Sequence, residues 1–419
     1  MSVFLYNIFL VLFRIGIRIA SLFNPKARKW VQGRKGIFEK LTAAIPAGKE
    51  IIWMHCASLG EFEQGRPVME SLKKLYPEHQ ILLTFFSPSG YEVQKDYKGA
   101  DWVFYLPMDS ARNARRFLEI VHPSLVIFVK YEFWYYYLKK IKYRKIPLLL
   151  ISALFRKDMS FFKWYGGLQR KILSRFDRLF VQNNSSLQLL KAIGLDNICS
   201  ISGDTRFDRV AGIAASWTPI PFLDEFSHNK KLIVAGSSWP EDEILLRDAL
   251  EGAKLPDGKI VLAPHEISEK HIGELEKLFP GALRFSQITN QTKVTDYNCL
   301  IIDNVGMLSR LYRYAWICYV GGGLRKSGIH NVLEAAVYHK PVFFGPRYTK
   351  YSEAIELVKV KGAESVQDGR EFAEALQILV REESQYEKMA AASGAFVKNH
   401  TGAVQLIMDH IQVNRLLTS

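Results

Sequence analysis

Cysteine is scarce in this chain of 419 residues: Cys56, Cys199, Cys299 and Cys318 stand far apart and form no CxxC pair. Such spacing suits neither a zinc site nor a disulfide framework, and a reducing compartment fits it. No GxGxxG run follows the first strand-like segment and no Walker A pattern occurs, which disfavours a dehydrogenase and a P-loop enzyme. Long Gly-, Ser- or Pro-biased stretches are missing, as are internal repeats, so the whole chain is expected to fold. Acid is the scarcer charge, 42 Asp/Glu against 56 Lys/Arg for a net +14. The excess is uneven: residues 1–50 hold nine Lys/Arg against two Glu, and residues 139–175 hold eleven against Asp158 alone. That asymmetry implies an anionic partner, whether phospholipid headgroups, a phosphorylated substrate or nucleic acid.

The one long apolar run, Val3 to Phe23, narrows the choice. It carries Arg14 and Arg18 four residues apart, hence on one helical face. A charge near a bilayer centre costs about 2.5 to 3.5 kcal/mol, so a helix lying in the interface competes with a full span, and a core helix is the third reading. The run lacks the basic start and small-residue end of a cleaved signal peptide.

With 48% apolar and 23% charged residues, the length suits two domains of roughly 200 residues each. From Glu50 on, short strand-like runs alternate with helical stretches: Ile51–His55, Ile81–Phe85, Val103–Leu106, Leu125–Val129, Leu148–Ile151 and Leu179–Gln182. After a Pro-containing stretch, Trp217–Asp224, the pattern restarts with Leu232–Ala235, Ile260–Ala263, Leu300–Ile302, Ile317–Val320 and Val342–Phe344. Alternation on this scale predicts parallel sheets in two α/β domains. The expected division is an anchor over 1–24, an N-terminal domain over 25–212, a linker over 213–228 and a second domain over 229–390. Residues 391–419 are expected to pack back on the N-terminal domain, within a helical stretch Arg370–Leu417. In such sheets ligands bind beyond the carboxyl ends of the strands, so the loops there carry the candidate chemistry.

The loop Cys56–Gly65 ends in a helix start with Ser58 and Glu61 at capping-box spacing. Glu61 reads either as that cap or as a general base for a sugar hydroxyl. Glu132 stands just past the strand Leu125–Val129 beside Trp134, and Arg206 in Ser202–Asp208 is a cation able to hold phosphate or to pair with Asp204 or Asp208. In the second half, Ala235–Glu243 combines small residues, a proline and an acidic first turn, a helix start whose amides suit an anion. The segment Val320–Glu334 (VGGGLRKSGIHNVLE) predicts a glycine-rich loop and a helix beginning near His330, with phosphate at its amino end, Asn331 capping the helix or touching the ligand, and Glu334 placed for a ribose.

In order and spacing these loops resemble those of the 3-deoxy-D-manno-octulosonic acid (Kdo) transferases, from about residue 45 to about residue 400. The family's Ser-Val-Gly-Glu appears as Ser58-Leu59-Gly60-Glu61, its Thr-Glu-Leu-Trp as Tyr131-Glu132-Phe133-Trp134, and its Gly-Ser-Leu-Lys-Phe-Asp as Gly203-Asp204-Thr205-Arg206-Phe207-Asp208. Its Gly-Gly-His-Asn-Pro-Leu-Glu reads Gly328-Ile329-His330-Asn331-Val332-Leu333-Glu334, and a short apolar N-terminal anchor is also a family trait. The sequence departs where Pro-Arg-His shortens to Pro264-His265, Gly-Glu-Leu becomes Gly306-Met307-Leu308 and the usual lysine is Arg206.

The resemblance implies a GT-B glycosyltransferase: two Rossmann-like domains facing a central cleft, with an N-terminal membrane anchor helix. It implies inverting, metal-independent transfer of Kdo from CMP-Kdo to a lipid A precursor on the cytoplasmic face of the inner membrane. No cofactor and no nucleic acid partner are implied; inner-membrane phospholipid is. Glu61 takes the base position, and Glu132 and Arg206 those of transition-state stabilisers. The nucleotide contacts fall on Pro264, His265, Gly306, Met307, Leu308, Asn331, Val332, Leu333 and Glu334. The alternative is a GT-B enzyme using a UDP-sugar on another lipid or cell-wall precursor.

Overall fold

Strands buried on both faces need almost unbroken apolar sequence, and the first one reads Ile-Ile-Trp-Met-His-Cys with all six residues buried. The computed structural model describes residues 2–228, 230–253, 255 and 258–417. The chain divides into two units, residues 1–209 with 401–419, and residues 210–400.

The first unit holds β1 (Ile51–Cys56), β2 (Gln80–Phe85), β3 (Trp102–Tyr105), β4 (Pro123–Val129), β5 (Leu148–Ala153), β6 (Arg178–Val181) and β7 (Cys199–Ile201). All run parallel in the order β3-β2-β1-β4-β5-β6-β7. On one face Trp53, Val126 and Leu148 meet Phe117 and Tyr137 from flanking helices. On the other, Ile52, Met54 and Ile127 meet Phe62, Met69 and Leu72 of the helix Leu59–Leu75. That helix lies close to the sheet: a methyl on Gly65 would stand 2.9 Å from the Met54 sulfur and 3.0 Å from Val129.

The second unit repeats the plan with β8 (Leu232–Ser238), β9 (Lys259–Pro264), β10 (Leu283–Arg284), β11 (Cys299–Ile301), β12 (Ile317–Val320), β13 (Val342–Phe344) and β14 (Ala363–Ser365). Its parallel order is β10-β11-β9-β8-β12-β13-β14. The helices Pro240–Ala253 and Gly369–Arg381 cover one face through Leu245, Leu246, Ala249, Phe372 and Leu376.

Three stretches differ from the sequence reading. The helical run Arg370–Leu417 is three helices, Gly369–Arg381, Glu383–His400 and Ala403–Val413, and the last break falls at Gly402 with φ +110°. Glu383–His400 belongs to the second unit, whereas Ala403–Val413 buries Ile407, Met408 and Ile411 in the first. The linker segment 213–228 falls within the second unit and is packed there. Ile220, Leu223 and Phe226 are buried, the Ile220 amide donates to the Tyr314 hydroxyl at 2.8 Å, and the Trp217 indole donates to the Arg310 carbonyl at 3.1 Å.

Each sheet has its first strand between strands reached in opposite directions, β1 between β2 and β4, and β8 between β9 and β12. Those are the topological switch points, where doubly wound sheets open a crevice.

Candidate active site

At the first switch point β1 runs into the helix Leu59–Leu75 through Ala57 and Ser58. Glu61 is the third helical residue, and its carboxylate accepts the amides of Ala57 at 2.5 Å and Ser58 at 3.1 Å. It forms a capping box with Ser58, so the structural reading of this residue is realised. The side chain is also buried. Burial first, and then repulsion from Glu132, push its carboxyl up to about 7, against the two amides and Lys130, which pull it down. A carboxyl poised there is matched to proton transfer at neutral pH, which an ordinary cap is not.

Glu132 reaches the same place from β4. Lys130, at the strand's end, takes a left-handed turn with φ +63° that redirects the chain. The Glu132 carboxylate receives the His55 ring at 2.7 Å and the Trp134 indole N–H at 2.5 Å. His55 is itself fully buried in β1 and held through Nδ1 by Thr84, whose hydroxyl lies at 2.9 Å. The second carboxylate is therefore locked by a strand and an indole, while the first hangs on main-chain amides.

Arg206 lies at the start of the helix Thr205–Ala215, after the edge strand β7. Its guanidinium grips Asp204 at 2.8 and 2.9 Å, and the Arg206 amide adds a third bond at 3.0 Å. Asp204 also takes the Gln64 amide at 3.1 Å, and Thr205 donates to the Gln64 carbonyl at 2.5 Å. The Arg206 guanidinium and its other hydrogen bonds hold Asp204 below the usual carboxylate range despite burial. Arg206 is thus tied to the helix of Glu61, three residues farther along.

In the second unit the loops after β8, β9 and β12 bring three rings into one stack. Trp239 lies on His265 with centroids 4.5 Å apart, and His265 on His330 at the same 4.5 Å. The Trp239 indole N–H reaches His330 Nε2 at 3.3 Å, which leaves the His330 proton on Nδ1. Burial and then His265 lower the His330 pKa to about 4, so this ring is neutral in neutral solution. Arg325 lies 4.0 Å over the Trp239 ring and 3.4 Å from Glu241. The acidic first turn of the helix Pro240–Ala253 points inward: Asp242 takes the amides of Trp239 at 3.0 Å and Gly322 at 2.8 Å and the Tyr319 hydroxyl at 3.0 Å. Glu243 joins Ser238 at 2.9 Å to His271 at 3.0 Å.

The glycine run has a packing reason at each position. A methyl on Gly321 would meet the Ser237 carbonyl at 2.3 Å, one on Gly323 the Gly345 nitrogen at 2.5 Å, and Gly322 has φ +91°. The helix expected near His330 begins three residues later, at Leu333, and spans only Leu333–Ala336. Val332 precedes it as cap without a side-chain bond, and so short a helix carries little dipole. Val332 and Leu333 are fully buried, main chain as well as side chain. Asn331 accepts the Leu333 amide at 3.2 Å and donates to Glu334 at 2.9 Å, which orients the carboxylate. Pro264 closes β9, and Gly306 (φ +94°) precedes Met307 and Leu308, the latter lying against Gly236 of β8.

Glu61 and Glu132 therefore meet at one switch point, and His265, His330 and the neighbouring loops at the other. The sequence reading had not singled out His55, Lys130 or Trp239. A lone histidine in an otherwise apolar strand, and an aromatic residue between a strand end and a proline, were the available signals.

A family model described as 3-deoxy-D-manno-octulosonic-acid transferase (kdotransferase) matches residues 30–209. The chain is similar to the 3-deoxy-D-manno-octulosonic acid transferase of Aquifex aeolicus, 31% identical over 319 residues that cover 75% of this chain and 81% of the relative. To the enzyme of that name from Haemophilus influenzae it is 26% identical over 413 residues, 94% of this chain and 93% of the relative. In fold it is like the UDP-GlcNAc 2-epimerase from Neisseria meningitidis bound to UDP-GlcNAc, with a TM-score of 0.59 and 17% identity over 87% of this chain and 99% of that one.

Proposed function

Because the chain belongs to the 3-deoxy-D-manno-octulosonic acid transferase family, and is thus a glycosyltransferase of the GT-B class, we propose that it moves Kdo from CMP-Kdo onto a hydroxyl of a lipid A precursor. The observation that carries the proposal is the Glu61 carboxyl, pushed up to about 7 at the switch point it shares with Glu132. The acceptor oxygen attacks the anomeric carbon from the face opposite the nucleotide and gives its proton to Glu61. The bond to CMP breaks in the same displacement, and the electron pair leaves on the phosphate. Inversion needs this one base, which contributes about 10²- to 10⁴-fold.

Charge develops on the CMP phosphate, and Arg206 and Glu132 are assigned to the stabilisation of that transition state and of the sugar's developing charge. Arg206 would have to share its guanidinium between Asp204 and the phosphate. A fixed cation serves here as preorganised charge, so the reaction as written requires no metal. The second unit is the donor side. The exposed His265 ring and the oriented Glu334 are suited to base and ribose, and main-chain groups of Gly306, Met307, Leu308 and Asn331 to the phosphate. The proposed lipid acceptor and the apolar N-terminal helix support a place at the inner membrane, on its cytoplasmic face.

Thermal protection tests the donor and Glu61→Ala tests the base. CMP is expected to raise the melting temperature where UDP does not, and Glu61→Ala to abolish transfer while CMP protection persists. Protection by UDP alone overturns the donor; wild-type turnover in Glu61→Ala overturns the base.

A further inference from the structure

The N-terminal helix Val3–Ala20 has two unlike faces. Tyr6, Leu10, Phe13 and Ile17, spaced by three or four residues, pack on the first unit's core, and the Phe13 ring lies edge-on to Trp30 with centroids 5.7 Å apart. Two polar ties fix the helix. The Tyr6 hydroxyl donates to Asp109 and the Tyr136 hydroxyl to Asn7 Oδ1, both at 2.7 Å. Asp109 is buried and also holds the Tyr136 and Tyr137 amides at 3.0 and 3.1 Å, so peeling the helix away leaves a buried carboxylate short of a donor. The opposite face is apolar and open, with Phe4 71%, Leu12 62% and Ile19 58% exposed. The helix is held against its own unit from Tyr6 to Ile17, and crossing a bilayer would strip it of those contacts.

Beside it runs a groove of about 410 Å³, in the size range of small-molecule sites. Ile17, Trp30 and Met108 line it together with the exposed cations Arg14, Arg18 and Lys35, and its one carboxylate, Glu39, is paired with Arg116 at 3.3 Å. Among the described residues none of those three exposed cations has an ion-pair partner. Arg34, also lining the groove, donates to the carbonyls of Leu106, Trp30 and Phe86 at 2.9, 3.2 and 2.8 Å. Burial lowers its pKa to about 9, which leaves it charged at neutral pH. The groove thus combines apolar and cationic lining, next to an open apolar helix face.

We propose that the first unit lies on an anionic bilayer with the helix Val3–Ala20 flat in the interface, and that the groove beside it seats one phospholipid of that bilayer. The phosphate lies among Arg14, Arg18 and Lys35, and the start of an acyl chain lies on the apolar lining. The outward face of the helix enters the acyl boundary, as interfacial amphipathic helices do. This rests on the membrane association proposed above but not on the donor or base, since Glu61, Glu132 and Arg206 do not line the groove.

Full-length Ser2→Cys protein, bound to the outside of sealed phosphatidylcholine/phosphatidylglycerol vesicles, is treated with an impermeant maleimide. The four native cysteines are buried and stay silent in the folded protein. Labelling from the outside supports a flat helix; labelling only from the lumen means a span and overturns it. The double variant Arg14→Gln/Arg18→Gln should bind these vesicles about 25-fold more weakly, at about fivefold per basic residue near an anionic surface. Equal binding removes the cations from the proposal. Native mass spectrometry of protein released from nanodiscs should find one retained phospholipid, lost in Val31→Trp, which fills the groove. No retained lipid, a retained lipid A precursor, or displacement by soluble glycerol phosphate each overturns the seat while leaving the CMP-Kdo reading intact.

Discussion

The two units share one topology and put unlike chemistry at the same place. Both sheets change direction at their first strand. At β1/β4 the loops supply two buried carboxylates, one of them pushed up to about 7. At β8/β12 the buried carboxylates Asp242 and Glu243 hold loops in place, and a neutral histidine sits in a ring stack. Under the proposed function the same fold feature serves proton transfer in one half and donor binding in the other. Burial raises the carboxyls in both places; what separates them is that Glu61 lies beside Glu132, while Asp242 and Glu243 are tied to the loops around them and to His271.

The largest test of that contrast is Glu61→Gln. Transfer should fall about 10²- to 10⁴-fold, the contribution of a positioned base, in kcat/KM measured at neutral pH. The pH dependence has a fixed sign. A base titrating at about 7 makes wild-type kcat/KM rise as pH increases through that value. For stability the sign reverses. The folded carboxyl binds its proton more tightly than the unfolded one, so wild type loses stability as pH rises from 4.5 to about 7. Glu61→Gln should therefore be more stable than wild type at pH ~8, by up to about 3 kcal/mol, and equal to it in acid, by denaturant titration.

Next in size is His265→Ala, which removes from the second unit's stack the ring assigned to the base. A base-aromatic contact is worth about 1 to 3 kcal/mol, so calorimetry should find CMP binding weaker by about tenfold or more. The same change in Trp134, which only braces Glu132, should leave CMP affinity alone. Gly323→Ala forces a methyl against the Gly345 backbone at 2.5 Å. Overpacking of that kind costs about 1 to 3 kcal/mol, and scanning calorimetry should place the loss in the second unit's transition. Glu132→Gln should lower kcat through its assigned part in the transition state, and its effect on the pH profile is the smallest change expected. It removes the second cause of the raised Glu61 pKa, so the acidic limb of the kcat/KM profile should move from about 7 toward the ordinary carboxylate range. An unmoved limb would separate the two carboxylates.

The central strands were legible because burial on both faces leaves no room for polar residues. Those missed, β7 (Cys199–Ile201), β10 (Leu283–Arg284) and β14 (Ala363–Ser365), are two- or three-residue edge strands with little apolar pattern of their own. Glu61 and Glu132 were legible as residues after strands, and their meeting follows from strand order, which local sequence does not encode. The glycine run suggested open space for a phosphate, whereas its backbone is packed against Ser237 and Gly345; composition alone cannot tell a cradle from a close approach. His330 looked like a helix start because Gly-Ile-His-Asn resembles a cap. The chain runs through turns and then without regular structure from Gly328 to Asn331, and enters the core at Val332 and Leu333.

The last helix, Ala403–Val413, belongs to the unit made first, fastened where Asp208 takes the amides of Gly402 at 2.8 Å and Ala403 at 3.2 Å. On the ribosome the first unit must wait for its closing piece while roughly 190 further residues emerge, about 10 to 40 s at ordinary synthesis rates. During that interval the side of the helix Leu59–Leu75 that Ala403–Val413 packs against, and Phe180 beside it, lie uncovered. Nascent chains stalled before residue 401 are therefore the ones that chaperones should hold longest.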